Sequence, residues 1–340
     1  MSDTPLLEVT DLRTHFFTDD GVVRAVDGVS FAVERGATLG IVGESGCGKS
    51  ITARSIINMI RPPGRIVGGE ILFRRDGAAA PVDIVKLDPE GKEIRSIRWA
   101  EISMIFQEPM TSLSPVHSVG EQMVEALEIH LHLGRTEAAK RSVDLLGRVG
   151  LARPKELMDR YRHQLSGGMR QRVMIAMALT CEPALLIADE PTTALDVTTQ
   201  AQILELLADL QQEFGMAMVF ITHDLGVIAE IADDVLVMYL GRQVEEADVD
   251  TVFHAPAHPY TRALLGSIPR RGAGRRLEVI SGAVPDPLNA PEGCTFHPRC
   301  PHYDPARCAS PELVALAPGH RARCARTDEL PEFHLGDHAG

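Results

Sequence analysis

Thr38-Leu39-Gly40-Ile41-Val42-Gly43-Glu44-Ser45-Gly46-Cys47-Gly48-Lys49-Ser50-Ile51 is the stretch that decides the fold. A short apolar run enters it, a complete G-x-x-x-x-G-K-[ST] pattern fills its centre, and a segment of helical spacing leaves it, predicted to run from Ser50 to Ile60 until Arg61-Pro62-Pro63-Gly64 stops it. Strand, glycine-rich loop and helix in that order form a phosphate cradle. The glycines let backbone N–H groups turn inward, the helix adds its positive end, and Ser50 offers a hydroxyl to Mg²⁺. Gly43, Glu44, Ser45, Gly46, Cys47, Gly48, Lys49, Ser50 and Ile51 are therefore the phosphate-binding candidates.

Working outward, the 37 residues before and within the entry strand alternate polar and apolar positions (Leu7, Val9, Leu12; Val29, Phe31, Val33) and break at Asp19-Asp20-Gly21 and Glu34-Arg35-Gly36, the pattern of antiparallel strands joined by turns. Downstream, residues 112–165 read as mainly helical, an insert between two halves of a nucleotide-binding core. Ala184-Leu185-Leu186-Ile187-Ala188, which runs on into Asp189-Glu190, and Ala217-Met218-Val219-Phe220-Ile221 read as buried strands, since continuous apolar runs suit a parallel sheet covered on both faces. At the first of these ends, Asp189 is placed to hold Mg²⁺ and Glu190 to orient and deprotonate an attacking water. Gln107, after the apolar run Ile102 to Phe106, can reach the metal or the water. His223, after Thr222, is suited to the γ-phosphate. Asp196 reads equally as a helix N-cap or as a group acting across a subunit boundary. A second glycine-rich segment, Leu165-Ser166-Gly167-Gly168-Met169-Arg170-Gln171, opens a further helix and supplies another surface able to meet a phosphate.

Composition bounds the alternatives. A chain of 340 residues that is 44% hydrophobic can bury one sizeable core and a smaller appended unit. Its formal net charge of −13 argues against a nucleic-acid binder held by phosphate contacts, and the pairs Arg270-Arg271 and Arg275-Arg276 are too short to reverse this. No apolar stretch approaches the ~20 residues that span a bilayer, and Met1-Ser2-Asp3-Thr4-Pro5 has no basic region followed by an apolar one, so a cytosolic chain is expected. From about residue 250 the composition shifts to Pro, His, Arg and Cys, which marks a boundary.

Of six cysteines, Cys294, Cys300, Cys308 and Cys324 crowd into the last fifth of the chain with C-x5-C-x7-C-x15-C spacing. Disulfides are disfavoured in a reducing cytosol, so gathered thiols more often bind metal. The paired C-x2–4-C knuckles of structural zinc are missing. An iron–sulfur cluster, zinc and free thiols all remain open, and nearby His297, His302 and His320 are read as surface residues.

Taken together, these residues resemble the ATP-binding subunits of ABC transporters over about residues 5–250. Phosphate loop, Gln107, the signature Leu165 to Gln171, Asp189-Glu190, Ala194-Leu195-Asp196 and His223 occur in that family's order, with Met169 where the family most often has Gln. The resemblance implies an α/β P-loop NTPase of ABC type with an antiparallel β subdomain, a helical subdomain at about 108–168, and a small Cys-containing C-terminal extension. It divides the chain into an ATPase domain, 1–250, and an extension, 251–340, with the four-Cys segment at 294–324. Two such subunits pack head to tail in the family, so Ser166, Gly167 and Gly168 of one complete the ATP site of the other. Catalytic roles fall to Lys49, Gln107, Glu190 and His223, and Mg²⁺ ligation to Ser50, Gln107 and Asp189. Asp196 belongs to the subunit-boundary loop, and Phe16 or Phe17 would stack on adenine.

The tail narrows the resemblance. His258-Pro259-Tyr260-Thr261-Arg262-Ala263-Leu264-Leu265, then Ser267-Ile268-Pro269, preceded by Gly241-Arg242-Gln243-Val244-Glu245, is similar to the extension of oligopeptide and dipeptide importer ATPases. This branch also serves nickel and other small solutes, and it resembles the present chain in carrying a [4Fe–4S] centre on its tail cysteines, which would tie down a loop-rich segment. It implies ATP and Mg²⁺ as cofactors, a homologous ATPase partner (a heterodimer), two permeases contacted through residues 107–119, an extracytoplasmic solute-binding protein, and a peripheral position on the cytoplasmic face of the membrane. The rival classes are a soluble ABC ATPase acting on DNA or ribosomes, which predicts two cassettes or a long coiled coil, and a stand-alone metal-sensing regulator.

Overall fold

A computed structural model of the chain describes residues 4–107, 113–193, 195–268 and 280–333. In chain order the elements are β1 (Leu7–Thr18), β2 (Gly21–Val33), β3 (Thr38–Val42), α1 (Lys49–Ile56), β4 (Gly64–Phe73), β5 (Val82–Asp83), α2 (Lys92–Ile97) and β6 (Ile102–Ile105). There follow α3 (Val119–Leu131), α4 (Arg135–Arg148), α5 (Pro154–Leu157), α6 (Gly167–Leu179), β7 (Leu185–Asp189), α7 (Val197–Phe214) and β8 (Ala217–Ile221). The chain continues through α8 (Leu225–Ile231), β9 (Asp234–Tyr239), β10 (Arg242–Asp248), α9 (Val249–His254), α10 (Pro259–Gly266), β11 (Val314–Ala317) and β12 (His320–Ala322). Residues 108–112, Ala194, the Pro269 to Arg276 stretch with both arginine pairs, and Met1 to Asp3 lie outside the described residues.

Two compact units emerge: Met1–Val33 with Thr38–Val85 and Phe220–Gly340, and Glu34–Ala37 with Lys86–Val219. In the first, β2, β1, β4 and β5 form a four-stranded antiparallel sheet in that order. The alternation that predicts it is largely realised: Leu7, Val9, Leu12, Val29, Phe31 and Val33 are buried while Thr10, Asp11, Arg13 and Ala32 beside them are exposed. The same unit carries β3, every residue of which is buried, in parallel register with β9. β10 pairs antiparallel with β9, and the β11–β12 hairpin then adds to β10 through Glu245↔Ala322 and Glu246↔Arg321. The C-terminal segment is thus tied down by strand pairing to the sheet that carries the phosphate loop. Its loop-rich composition conceals this, because the strands are short and their partners lie some 75 residues upstream, as in the Arg321–Glu246 hydrogen bond.

In the second unit β6 runs parallel to β7, from Ile102↔Leu185 to Ile105↔Ala188, and β7 is wholly buried, as its unbroken apolar run predicts. The helical insert is α3 to α5. Ser118 opens α3 with a reciprocal capping box: its Oγ accepts from Glu121 N at 3.2 Å and its own N–H donates to Glu121 Oε2 at 2.7 Å. Val124, Leu127 and Ala138 form the local core with Leu131, Leu133, Ala139 and Met158 around it.

One boundary differs from expectation. α1 ends at Ile56 rather than Ile60, because Asn58 adopts a left-handed conformation (φ 49°), Met59 N–H donates to Arg54 O at 2.8 Å, and Asn58 Nδ2 reaches Ile84 O at 3.2 Å. An asparagine in that conformation closes a helix much as glycine does, so the proline pair is not what stops it. Among the described residues no helix is long and apolar enough to cross a membrane.

Candidate active site

The phosphate loop is a buried turn with an exposed tip. Ser45 and Gly46 face solvent, whereas Gly43, Cys47, Gly48 and Lys49 are buried and Glu44, Ser50 and Ile51 half-buried. Two glycines are required by position. Gly43 (φ 151°) would place a Cβ 2.2 Å from Met238 O, and Gly48 (φ 102°), which caps α1, would place one 2.2 Å from Ala25 O. The loop closes on itself: Lys49 Nζ donates to Gly43 O at 2.7 Å and to Glu44 O at 3.1 Å, holding the ammonium inside the turn. Burial pushes the Cys47 thiol pKa up, so this cysteine is a packed, neutral group rather than a reactive one. His223, in the same unit, lies exposed beyond β8, just before Asp224, whose carboxylate caps α8.

The second unit assembles the other chemistry. Asp189 ends β7 with its side chain buried, and the chain turns sharply at Glu190, which holds a left-handed backbone (φ 48°). A glutamate in that region stores roughly 1–3 kcal/mol of strain, the kind that clusters at functional sites. Gln107 Nε2 donates to Glu190 Oε2 at 3.1 Å and Thr193 Oγ1 donates to the same oxygen at 2.8 Å. The strand-end residues Gln107 and Glu190, 83 positions apart in sequence, are therefore brought together. Thr193 joins them without having been singled out by sequence, since a threonine in Pro191-Thr192-Thr193 carries no spacing signal.

The glycine-rich segment divides by burial. Ser166 caps α6, its Oγ accepting from Met169 N at 3.3 Å, and Ser166 and Gly167 are exposed at the helix start. Leu165 is buried, and buried Gln171 donates to Pro191 O, so these two build the segment rather than present it. Gly168, Met169 and Arg170 are half-buried, with Arg170 Nε donating to Arg162 O at 2.9 Å. Asp196 is a helix N-cap: it accepts from Thr199 N at 3.0 Å and Thr199 Oγ1 at 2.7 Å, bonds that lower its pKa.

Comparison with known proteins fits this geometry. The ABC transporter family model matches residues 26–193, and the model for the C-terminal region of oligopeptide/dipeptide transporters matches residues 244–308. The oligopeptide transport ATP-binding protein AppD of Bacillus subtilis is 50% identical over 326 residues, 95% of this chain and 97% of that one. The chain belongs to the ABC transporter ATP-binding family, in its oligopeptide/dipeptide branch. The dipeptide transport ATP-binding protein DppD of Escherichia coli is 47% identical over 94% of this chain and 96% of its own. Among solved structures, a dimeric post-hydrolysis state of the ATP-binding cassette MJ0796 bound to ADP and phosphate aligns with a TM-score of 0.62 at 26% identity, covering 72% of this chain and 98% of that one. CbiO1 of Clostridium perfringens, part of the transporter complex cbiONQ, gives 0.60 at 30% identity over 74% and 91%.

Two further regions of this ABC ATPase bear on its site. Phe16 is half-buried with its ring against Gly64, while Phe17 is 38% exposed and carries the Arg65 guanidinium 4.1 Å from its ring centre. In the tail, Cys294, Cys300, Cys308 and Cys324 all line one small, mostly apolar cavity with His258, Phe296 and Tyr303. Burial raises the thiol pKa values of Cys294 and Cys324, and that of Cys300 to about 11. Among the described residues no group of three or more His, Cys, Asp or Glu side chains is disposed to hold a metal ion.

The tail histidines His297, His302 and His320 are half-buried and engaged by neighbours rather than freely exposed as expected. His320 Nε2 lies 2.9 Å from the carboxylate of Glu245, which is wholly buried and also accepts from Ala257 N and His258 N at 2.6 and 2.9 Å. His297 Nδ1 is 2.9 Å from Cys294 O and its ring stacks on Tyr303, and His302 is half-buried beside the cysteine cavity. His258 is fully buried, accepts from Tyr260 N, and has its pKa lowered to about 4 by desolvation against the pull of Glu245, so it is neutral at physiological pH. Glu245 and His258 carry no sequence signal for this pairing, because a buried carboxylate is recognisable only by its partners.

Proposed function

We propose that this ABC ATPase hydrolyses ATP to drive uptake of di- or oligopeptides through separate membrane permeases, as the ATP-binding half of a peripheral complex on the cytoplasmic face of the membrane. The observation that carries the reading is the strained Glu190, oriented by Gln107 and Thr193, in a chain whose tail matches the oligopeptide/dipeptide C-terminal region. The ATPase domain is assigned to 1–250, with its helical subdomain at about 108–168, and the importer-type extension to 251–340. Lys49 and the loop amides from Gly43 to Ile51 bind the β- and γ-phosphates. Glu190 takes the proton of the attacking water, its carboxylate held by Gln107 and Thr193, and His223 donates to the γ-phosphate.

The donors Ser50 hydroxyl, Gln107 amide carbonyl and Asp189 carboxylate are the hard oxygens that suit Mg²⁺. When bound there, the ion neutralises phosphate charge. Ser166 and Gly167, exposed at a helix start, and the half-buried Gly168 beside them act on the ATP held by a homologous ATPase partner, with Asp196 at the subunit boundary. Phe17, the more exposed of the two candidates, stacks on adenine. The test is assembly: the full chain should co-purify with two permeases and a second ATPase, and in proteoliposomes a solute-binding protein loaded with dipeptide should raise ATP turnover. Stimulation by nickel but not peptides would move the substrate class, and failure to associate with any membrane subunit would overturn the reading.

We also infer that the four tail cysteines, which line a single apolar cavity but are not drawn together as a ligand set in this structure, are the residues that would hold a [4Fe–4S] cluster. Bound there, the cluster would supply four iron–thiolate bonds that staple the extension. Anaerobically purified protein is expected to contain about four iron and four acid-labile sulfide per chain, with Cys300→Ser lowering both. Folded, colourless, iron-free protein would reject it.

A further inference from the structure

Glu44 presents a chemical problem. A carboxylate occupies the second position of a loop whose task is to bind a polyphosphate, and like charges repel. The structure resolves it from the far end of the chain, within the same unit. Arg299, 255 residues downstream, places Nη1 2.6 Å from Glu44 Oε2 and Nη2 3.1 Å from Oε1, a two-pronged pairing with both carboxylate oxygens. The Arg299 side chain is only 3% exposed and is fixed on its other sides by Ser281 O, Ile280 O and Tyr239 Oη. Tyr260 adds a second grip, its Oη accepting from Glu44 N at 2.8 Å. Phe296 packs against both Tyr239 and Tyr260 with ring centres 5.2 and 5.3 Å apart, so these contacts are rigidly backed.

We propose that Arg299 of the C-terminal extension is a positioning residue of the nucleotide site, the counter-charge that neutralises Glu44 and holds the phosphate loop ready for ATP. The inference rests on the nucleotide-binding reading above. It makes the extension a working part of the site rather than an appendage: without Arg299, Glu44 would add an uncompensated negative charge to the loop that binds the phosphates. Arg299 and Tyr260 touch no reacting atom; they act through Glu44.

The experiment is a mutant cycle on the full-length chain, read as affinity for a fluorescent trinitrophenyl-ATP with Mg²⁺, with thermal midpoints in parallel. Arg299→Met is expected to weaken binding roughly tenfold, inside the 5- to 150-fold span of typical inter-site couplings, and the defect should shrink at high salt. Glu44→Gln in the same chain should restore affinity to within about threefold of wild type, since it removes the charge that Arg299 neutralised. A merely structural role predicts the opposite, a double variant no better than Arg299→Met. That result, or unchanged binding by a folded Arg299→Met, overturns the proposal. If Arg299→Met fails to fold, Arg299→Lys decides in its place: a salt-sensitive loss of affinity that Glu44→Gln in the same chain relieves supports the proposal, whereas unchanged affinity or a loss that Glu44→Gln does not relieve overturns it. Lys49→Ala is the control. Binding by wild type that Lys49→Ala abolishes, with the cycle flat, sinks only the proposal, whereas no binding by wild type sinks the nucleotide reading as well.

Discussion

Glu190→Gln is expected to lower steady-state ATP turnover of the assembled complex by roughly 10²–10⁴-fold, the contribution of a positioned general base, while leaving ATP binding in place. The substitution keeps the length and shape of the side chain, so a residue at φ 48° remains there and Thr193 still has an oxygen to donate to. What changes is basicity, since an amide cannot accept the proton of the attacking water. Gln107 meanwhile loses charge assistance on a 3.1 Å hydrogen bond, a minor loss beside that of the base. Because hydrolysis stops after nucleotide has bound, the variant should accumulate an ATP-bound closed dimer, visible as a shift in elution volume on adding MgATP. Turnover within a factor of a few of wild type would remove Glu190 from the role of base.

Gly48→Ala is the second large effect, and it arises from backbone geometry rather than charge. At φ 102° an L side chain is strained by roughly 1–3 kcal/mol, and the added Cβ falls 2.2 Å from the carbonyl oxygen of Ala25, a backbone atom that cannot swing away. The loop must shift, and its amide N–H groups shift with it. Misaligning one charge-assisted phosphate contact forfeits about 1.5–3 kcal/mol, roughly 10- to 150-fold in affinity. Gly46 provides the contrast within the same loop: its φ is also positive, at 78°, but nothing lies within 4 Å of an added Cβ. Gly46→Ala should therefore pay only the conformational strain. Calorimetry and nucleotide titration should rank Gly48→Ala well below Gly46→Ala in both midpoint and affinity; equal behaviour would refute the steric argument.

Much of the site is legible in the sequence because its chemistry is local. Lys49, Ser50 and the loop glycines lie within eight residues, and the turn they form is dictated by which backbone angles glycine alone adopts comfortably. β3, β7 and β8 announce themselves by unbroken apolar runs, and all three are fully buried. Ser166 before Gly167-Gly168 marks a helix start, and a helix start is what forms. Errors arise where a long-range partner decides. α1 stops at Ile56 because Asn58 finds Ile84 O, not because of the later prolines. His320, read as exposed, is drawn in by Glu245 from 75 positions away. Thr193 is invisible until the turn after Asp189 brings its hydroxyl onto Glu190.

By itself, then, the sequence of this chain determines the α/β nucleotide-binding architecture and the order of its motifs, because hydrophobic periodicity and glycine conformation act over a few residues and leave a local trace. Only the tertiary structure decides what the extension is for. It threads β12 onto β10, sets Tyr260 and Arg299 against Glu44, and gathers four cysteines around one cavity. These are pairings between groups whose identity is ordinary and whose meaning lies in proximity: a buried carboxylate, a guanidinium fork or a thiol acquires its role from the partner that desolvation forces it to find.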